Sequence, residues 1–225
     1  MGYNGCMSSF AHPPAESPTH VFDLSGGALC LDFANTVADR PRNEQEHLKE
    51  YRDLLDWAAQ ADVVDDEQKH RLARLARRRK DDAEAALSQA FELRECLYRI
   101  FTRVAADRRP AGRDLDALNV WLTTTLPRLR VEDRGEGPTW TWHHADTELE
   151  SILWPVVRSA AELLTSDEVD RVGECDGDPC SWLFIDRSRT GRRRWCDMKT
   201  CGNRDKARRY YRRQKKKKEV TDTTD

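Results

Sequence analysis

The chain has 225 residues, 38% hydrophobic and 35% charged, with a net charge of −2, which is room for one medium domain and a small module. No run approaches the roughly 18 to 20 apolar residues of a membrane span, and no basic region followed by an apolar core opens the chain, so neither a spanning helix nor a secretory signal is expected. The small net charge hides an asymmetry: residues 1–186 carry 22 Lys/Arg against 35 Asp/Glu, whereas residues 187–218 carry 16 Lys/Arg against 2 Asp, so the field is bipolar.

In chain order, residues 1–20 are rich in Pro, Gly, Ser and His with little apolar periodicity, and read as a flexible arm that includes an isolated Cys6. Phe22-Asp23-Leu24 alternates like a short strand before the turn Ser25-Gly26-Gly27. Ala28 to Ala38 fits either period; continuation of the apolar pattern towards Pro41 favours a helix. Tyr51, Leu54, Leu55, Ala58 and Ala59 form a helical stripe, and Asp65 or Asp66 can cap the next helix, which carries Leu72 and Leu75. The run Arg77 to Lys80 is flanked by Asp81, Asp82 and Glu84 and reads as a solvated helix end.

Residues 83–105 repeat apolar positions at three and four, with Cys96 beside the stripe as a small core residue. Another helix, carrying Leu115, Leu118 and Trp121, ends near Pro127. Leu129, Val131, the Gly135–Pro138 turn, Trp140 and Trp142 then read as a hairpin, followed by His143-His144 as a surface pair. A long helix is expected from Thr147 to Leu164, kinked at Pro155, then a short helix from Val169 to Val172 capped by Thr165 or Ser166.

The chemistry concentrates in residues 175–213. Cys175/Cys180 and Cys196/Cys201 are two C-x4-C pairs separated by 15 residues, a spacing that suits a tetrahedral four-thiolate zinc site. Between them, Trp182 to Ile185 reads as a strand, residues 187–192 as a turn and Arg193 to Trp195 as the returning strand; the second pair opens a helix with Asn203 as candidate N-cap. Four thiolates fill the shell and leave no position for an activated water, so one structural Zn²⁺ is expected. The odd cysteine count and the metal-site spacing argue against a disulfide framework and for a reducing, cytoplasmic setting. Arg192, Arg193 and Arg194 on the hairpin, with Arg204, Lys206, Arg208, Arg209, Arg212 and Arg213 around the helix, suit phosphate contact. Asn203 and Arg204, near the helix start, suit base readout, although Asn203 can equally serve as a cap. Gly202 suits a close approach to a sulfur or a positive φ.

The expected architecture is mainly α: an arm (1–20), an acidic helical domain with one or two small hairpins (21–171), a treble-clef-like zinc finger (172–214) and a charged, disordered tail (215–225). Trp195-Cys196-Asp197-Met198-Lys199-Thr200-Cys201-Gly202-Asn203-Arg204 resembles the signature of the CGNR zinc-finger family, and Leu31-Asp32-Phe33-Ala34-Asn35-Thr36 resembles the start of the ABATE domain that precedes such fingers in bacterial proteins. The resemblance implies a stress-induced transcription regulator whose finger holds zinc through the four cysteines and binds DNA. In a bacterium that places it at the nucleoid.

Three functions compete. The first is a regulator of duplex DNA whose helical domain dimerises or takes a small-molecule effector. The second is an RNA-binding module in which Tyr210, Tyr211 and Trp182 stack on bases. In the third, the finger is a protein-interaction element, or the basic segment docks on the acidic one. An enzyme is not expected, since no catalytic elbow, phosphate loop or H-E-x-x-H motif is present. Asp32 and Asn35 can line a small-molecule pocket or serve as structural partners.

Overall fold

The computed structural model describes residues 20–42, 44–133, 135 and 137–221, with backbone alone over 215–221. The expected N-terminal arm and Cys6 lie outside the described residues, apart from His20. Among these residues there are seven α-helices and three two-stranded antiparallel ribbons, so the fold is mainly α with small hairpins.

The helices are α1 (Leu29–Ala34), α2 (Tyr51–Gln60), α3 (Asp66–Arg78), α4 (Lys80–Ala105), α5 (Gly112–Thr125), α6 (Leu153–Leu164) and α7 (Asn203–Thr221). Apolar stripes at three and four bring α1, α2, α3 and α5 around the 26-residue α4, and α6 packs on α1 and α5. Leu31, Phe33, Leu54, Trp57, Leu93, Leu97, Ile100, Phe101, Val156 and Val157 form a core that is fully or almost fully buried. Local signals set the helix starts. The Asp65 carboxylate accepts the Gln68 N–H at 2.7 Å, and the Asp53 carboxylate accepts the Lys49 and Glu50 N–H groups at 2.8 and 3.0 Å.

Several expectations are corrected. Phe22 to Leu24 is not a strand: the Gln60 side-chain amide brackets this extended segment, accepting from Phe22 N (2.9 Å) and donating to His20 O (2.8 Å). The helix from Ala28 is short; after Ala34 the chain turns into β1 (Val37–Ala38), which pairs with β2 (Gln45–Glu46). The helix expected from Thr147 is instead a 3-10 turn (Leu149–Ile152) leading into α6, so Pro155 falls in the first turn of α6, where its missing N–H is not needed. The short helix at Val169 is a 3-10 turn, Val169–Arg171. The hairpin of β3 (Leu129–Asp133) and β4 (Pro138–Trp142) forms with Val131 opposite Trp140.

Near the cysteines, β5 (Val172–Glu174) pairs with β6 (Leu183–Ile185), with Gly173 opposite Phe184. Arg193 to Trp195 is therefore not the returning strand, because β6 already has its partner upstream of the first cysteine. Val172, Leu183 and Ile185 are buried in the same core as the helices. The α7 backbone continues past residue 215, where the sequence suggested a tail; Gln, Lys and Glu favour helix there.

Candidate metal centre and basic helix

Cys175 follows β5, and Cys180 lies in the loop returning to β6; Cys196 lies just before, and Cys201 within, the π-type turn (Met198–Gly202) that opens α7. All four are buried, and their Sγ atoms lie within 4.8 Å of one another. The Cys180–Cys196 and Cys196–Cys201 sulfur separations are both 3.7 Å. A tetrahedral ion with Zn–S bonds of about 2.3 Å needs sulfurs about 3.8 Å apart, so the donor set and its spacing fit one structural zinc.

Backbone N–H groups of Gly177 and Cys196 point at Cys175 Sγ at 3.4 and 3.3 Å. The Cys175 thiol is driven well down by hydrogen bonds from the Cys180 and Cys196 side chains, aided by these backbone donors, while Cys196 is pushed up as their counterpart. A zinc ion would replace that shared protonation with four thiolates, so binding releases protons. Trp182, Phe184 and Trp195 surround the cluster. The other described cysteines stand apart: burial pushes the Cys30 thiol up to about 12, and Cys96 donates to Asp114 O.

Gly177 was missed in the sequence. A Cβ there would lie 2.9 Å from Cys201 Cβ and within 3.3 Å of two of the sulfurs. Gly202, by contrast, does not face a cysteine sulfur and lacks a positive φ; it abuts the Met198 thioether and Trp195. The signal for Gly177 was only its place in a polar loop between two ligands.

Asn203 is not an N-cap. Asp197 holds that position, accepting from Lys199 N (3.1 Å) and Thr200 N (3.2 Å), which depresses its carboxyl pKa. Asn203 has helical φ/ψ and donates Nδ2 to Lys199 O at 3.1 Å.

The nine cationic residues expected to contact nucleic acid divide into three groups. Arg193 is an internal brace: it donates to the carbonyls of Trp195 (3.0 Å), Ile185 (3.2 Å), Ser25 (3.4 Å) and Cys196, and its guanidinium lies 4.4 Å from the Phe184 ring centre. Arg194, Arg208 and Arg209 pair with Asp176, Asp178 and Asp205 at 2.7, 3.3 and 2.5 Å. Arg42 of the helical domain also reaches Asp178 at 2.6 Å. The exposed side chains of Arg192, Arg204, Lys206, Arg212 and Arg213 have no ion pair or hydrogen bond among the described residues. Tyr210 and Tyr211 are 60% and 71% exposed. Trp182 is half-buried with its indole N–H on Val37 O at 2.8 Å, so it is no free stacking platform.

The N-terminal motif is equally committed. The Asp32 carboxylate accepts Gly26 N–H at 2.8 Å, and burial pushes its pKa up to about 6. The Asn35 amide donates to Leu183 O (2.9 Å) and accepts from Leu183 N (2.8 Å). Thr36 Oγ1 accepts from Arg94, which is almost fully buried and also holds Glu46 bidentately at 2.8 and 2.5 Å. No helix of the described residues is long and apolar enough to cross a membrane.

A family model named ABATE, described as "Putative stress-induced transcription regulator", matches residues 27–167, and the model of the CGNR zinc finger matches residues 171–214. Neither description is of an enzyme. No curated protein matches the chain. More than half of the sequence lies within the first match and all four clustered cysteines within the second, so the chain belongs to the ABATE family and carries a C-terminal CGNR zinc finger.

Proposed function

We propose that the protein is a DNA-binding transcription regulator, with the zinc finger and α7 as its contact surface and the helical domain as the regulatory or dimerising part. The observation that carries this reading is the basic helix itself. Arg204, Lys206, Arg212 and Arg213, with Arg192 in the loop before Cys196, are exposed without ion pairs among the described residues. A helix that is polar all round finds little to bury in its own protein, whereas phosphates reward each of its cations by counterion release. Arg194 and Arg208 would add contacts by exchanging a solvent-accessible carboxylate, Asp176 or Asp178, for a phosphate. Asn203 keeps its Oδ1 as an acceptor for a base edge near the start of the helix. Such a protein would work in the cytoplasm, at the nucleoid in a bacterium.

The exposed pair Tyr210 and Tyr211 favours a second reading, stacking on unpaired RNA bases. The test is duplex DNA binding as a function of salt, with structured RNA as competitor. Each phosphate contact contributes about 0.9 to the slope of log K against log salt. Arg204→Ala, Lys206→Ala, Arg212→Ala and Arg213→Ala together should therefore flatten it by roughly 3 to 4. An unchanged slope would overturn the assignment to α7, and preferential capture by RNA would favour the second reading.

A further inference from the structure

The edge of β6 that faces away from β5 is finished by the helical domain. Phe184 faces Gly173 in the ribbon, and the flanking rungs continue it: Cys175 N donates to Trp182 O and Asp186 N to Arg171 O, both at 2.8 Å. The alternate groups, on Leu183 and Ile185, point to the opposite edge. There the Asn35 amide takes both the N–H and the C=O of Leu183, and Gly26 O accepts Ile185 N–H at 2.8 Å. One side-chain amide and one loop carbonyl thus stand in for a third strand. Trp182 adds its indole N–H to Val37 O, just beyond the family motif.

This seat matters to the metal centre because two three-residue strands are not stable alone in water, yet they fix the first ligand pair. Cys175 N lies on a rung of the ribbon, and Cys180 is three residues before Leu183. The second pair is tied to the same place, since Arg193 joins Ser25 O and Ile185 O to Cys196 O. Asn35, Thr36 and Leu183 are buried, so water cannot readily replace the lost partners.

We infer that residues 25–37 are the seat of the zinc-binding hairpin, and that Asn35 and Trp182 are positioning residues that set how firmly the finger retains its metal. The ABATE motif is thereby a structural part of the metal centre, and zinc retention is a property of the whole chain. This inference is independent of what α7 binds.

The test is the rate of zinc release from the full-length, zinc-loaded protein into excess chelator under native conditions. Asn35→Ala removes both hydrogen bonds to Leu183; Trp182→Phe removes one donor and keeps an aromatic ring. Leu72→Ala in α3, buried but away from the seam, controls for general destabilisation. Release should speed up at least tenfold in Asn35→Ala and severalfold in Trp182→Phe, and stay within twofold of wild type in Leu72→Ala. Wild-type rates in both seam variants, or equal acceleration by Leu72→Ala, would overturn the inference. Should Asn35→Ala fail to fold, Trp182→Phe against Leu72→Ala decides it alone.

Discussion

Substituting alanine at Gly177 and at Gly202 makes a paired experiment on what holds the metal centre. At Gly177 the new Cβ meets Cys201 Cβ at 2.9 Å, Cys201 Sγ at 3.1 Å and Cys175 Sγ at 3.3 Å. Those atoms belong to ligands, which cannot step aside while all four sulfurs stay on one ion. Relief must come from the loop, at the typical overpacking cost of about 1 to 3 kcal/mol. If that strain falls on the bound state, zinc affinity drops by roughly 5- to 150-fold. At Gly202 the nearest atom is closer, Met198 Sδ at 2.7 Å, but this is the end of a flexible side chain that is 47% exposed. Met198 can swing into solvent, so affinity there should change less than about threefold, well under 1.4 kcal/mol. Competition for zinc against a coloured chelator measures both, and circular dichroism of the loaded proteins checks that the helices persist. Unchanged affinity in Gly177→Ala, or a larger loss in Gly202→Ala, would refute the reasoning from contact identity.

Asp32→Asn tests the motif's buried acid. The folded carboxyl titrates at about 6 rather than 3.8 because burial disfavours the charge, so the folded state binds more protons and stability falls as pH rises between those values. Asn keeps an acceptor for Gly26 N–H without the charge; it should raise stability at pH 7 by about 1 to 3 kcal/mol and by little at pH 4, as read from urea melts. Arg94→Met should cost about 3 to 5 kcal/mol, since it strips a bidentate partner from Glu46 in a largely buried site. The corresponding check is a shifted urea midpoint at unchanged slope. Cys196→Ser should abolish tight zinc binding and also raise hydrogen exchange in α1, because Asn35 and Gly26 lose an ordered β6; protection in α1 equal to wild type would contradict the shared core.

The helices were legible because periodicity reports burial directly. In α4 the apolar spacing placed Leu93, Leu97, Ile100 and Phe101 where the core is. The four cysteines were legible because metal geometry constrains spacing. Side chains that imitate backbone were not legible. Asn35 and Gln60 each satisfy an extended segment with one amide, and no pattern distinguishes such an Asn or Gln from a surface one. The partner of β6 is not legible for a related reason: sequence order favours a hairpin after the strand, whereas β6 pairs with β5 upstream and meets Gly26 on its other edge. Arg193 looked like its neighbours because charge alone does not reveal an arginine whose donors all face carbonyls. The bipolar charge offers, as one alternative, docking of the basic segment on the acidic one. In the structure the acids paired with finger arginines are mostly the finger's own, Asp176, Asp178 and Asp205.

The Asn35–Leu183 contact spans 148 positions in the chain, and that separation has a temporal meaning during synthesis. At about 5 to 20 residues per second, α1 leaves the ribosome roughly 7 to 30 s before the strand that completes it. Through that interval the helical domain lacks Val172, Leu183 and Ile185 from its core, and the Asn35 amide lacks its partner. Closure waits for the last segment to emerge, so a chain cut short before residue 183 would keep an open seat.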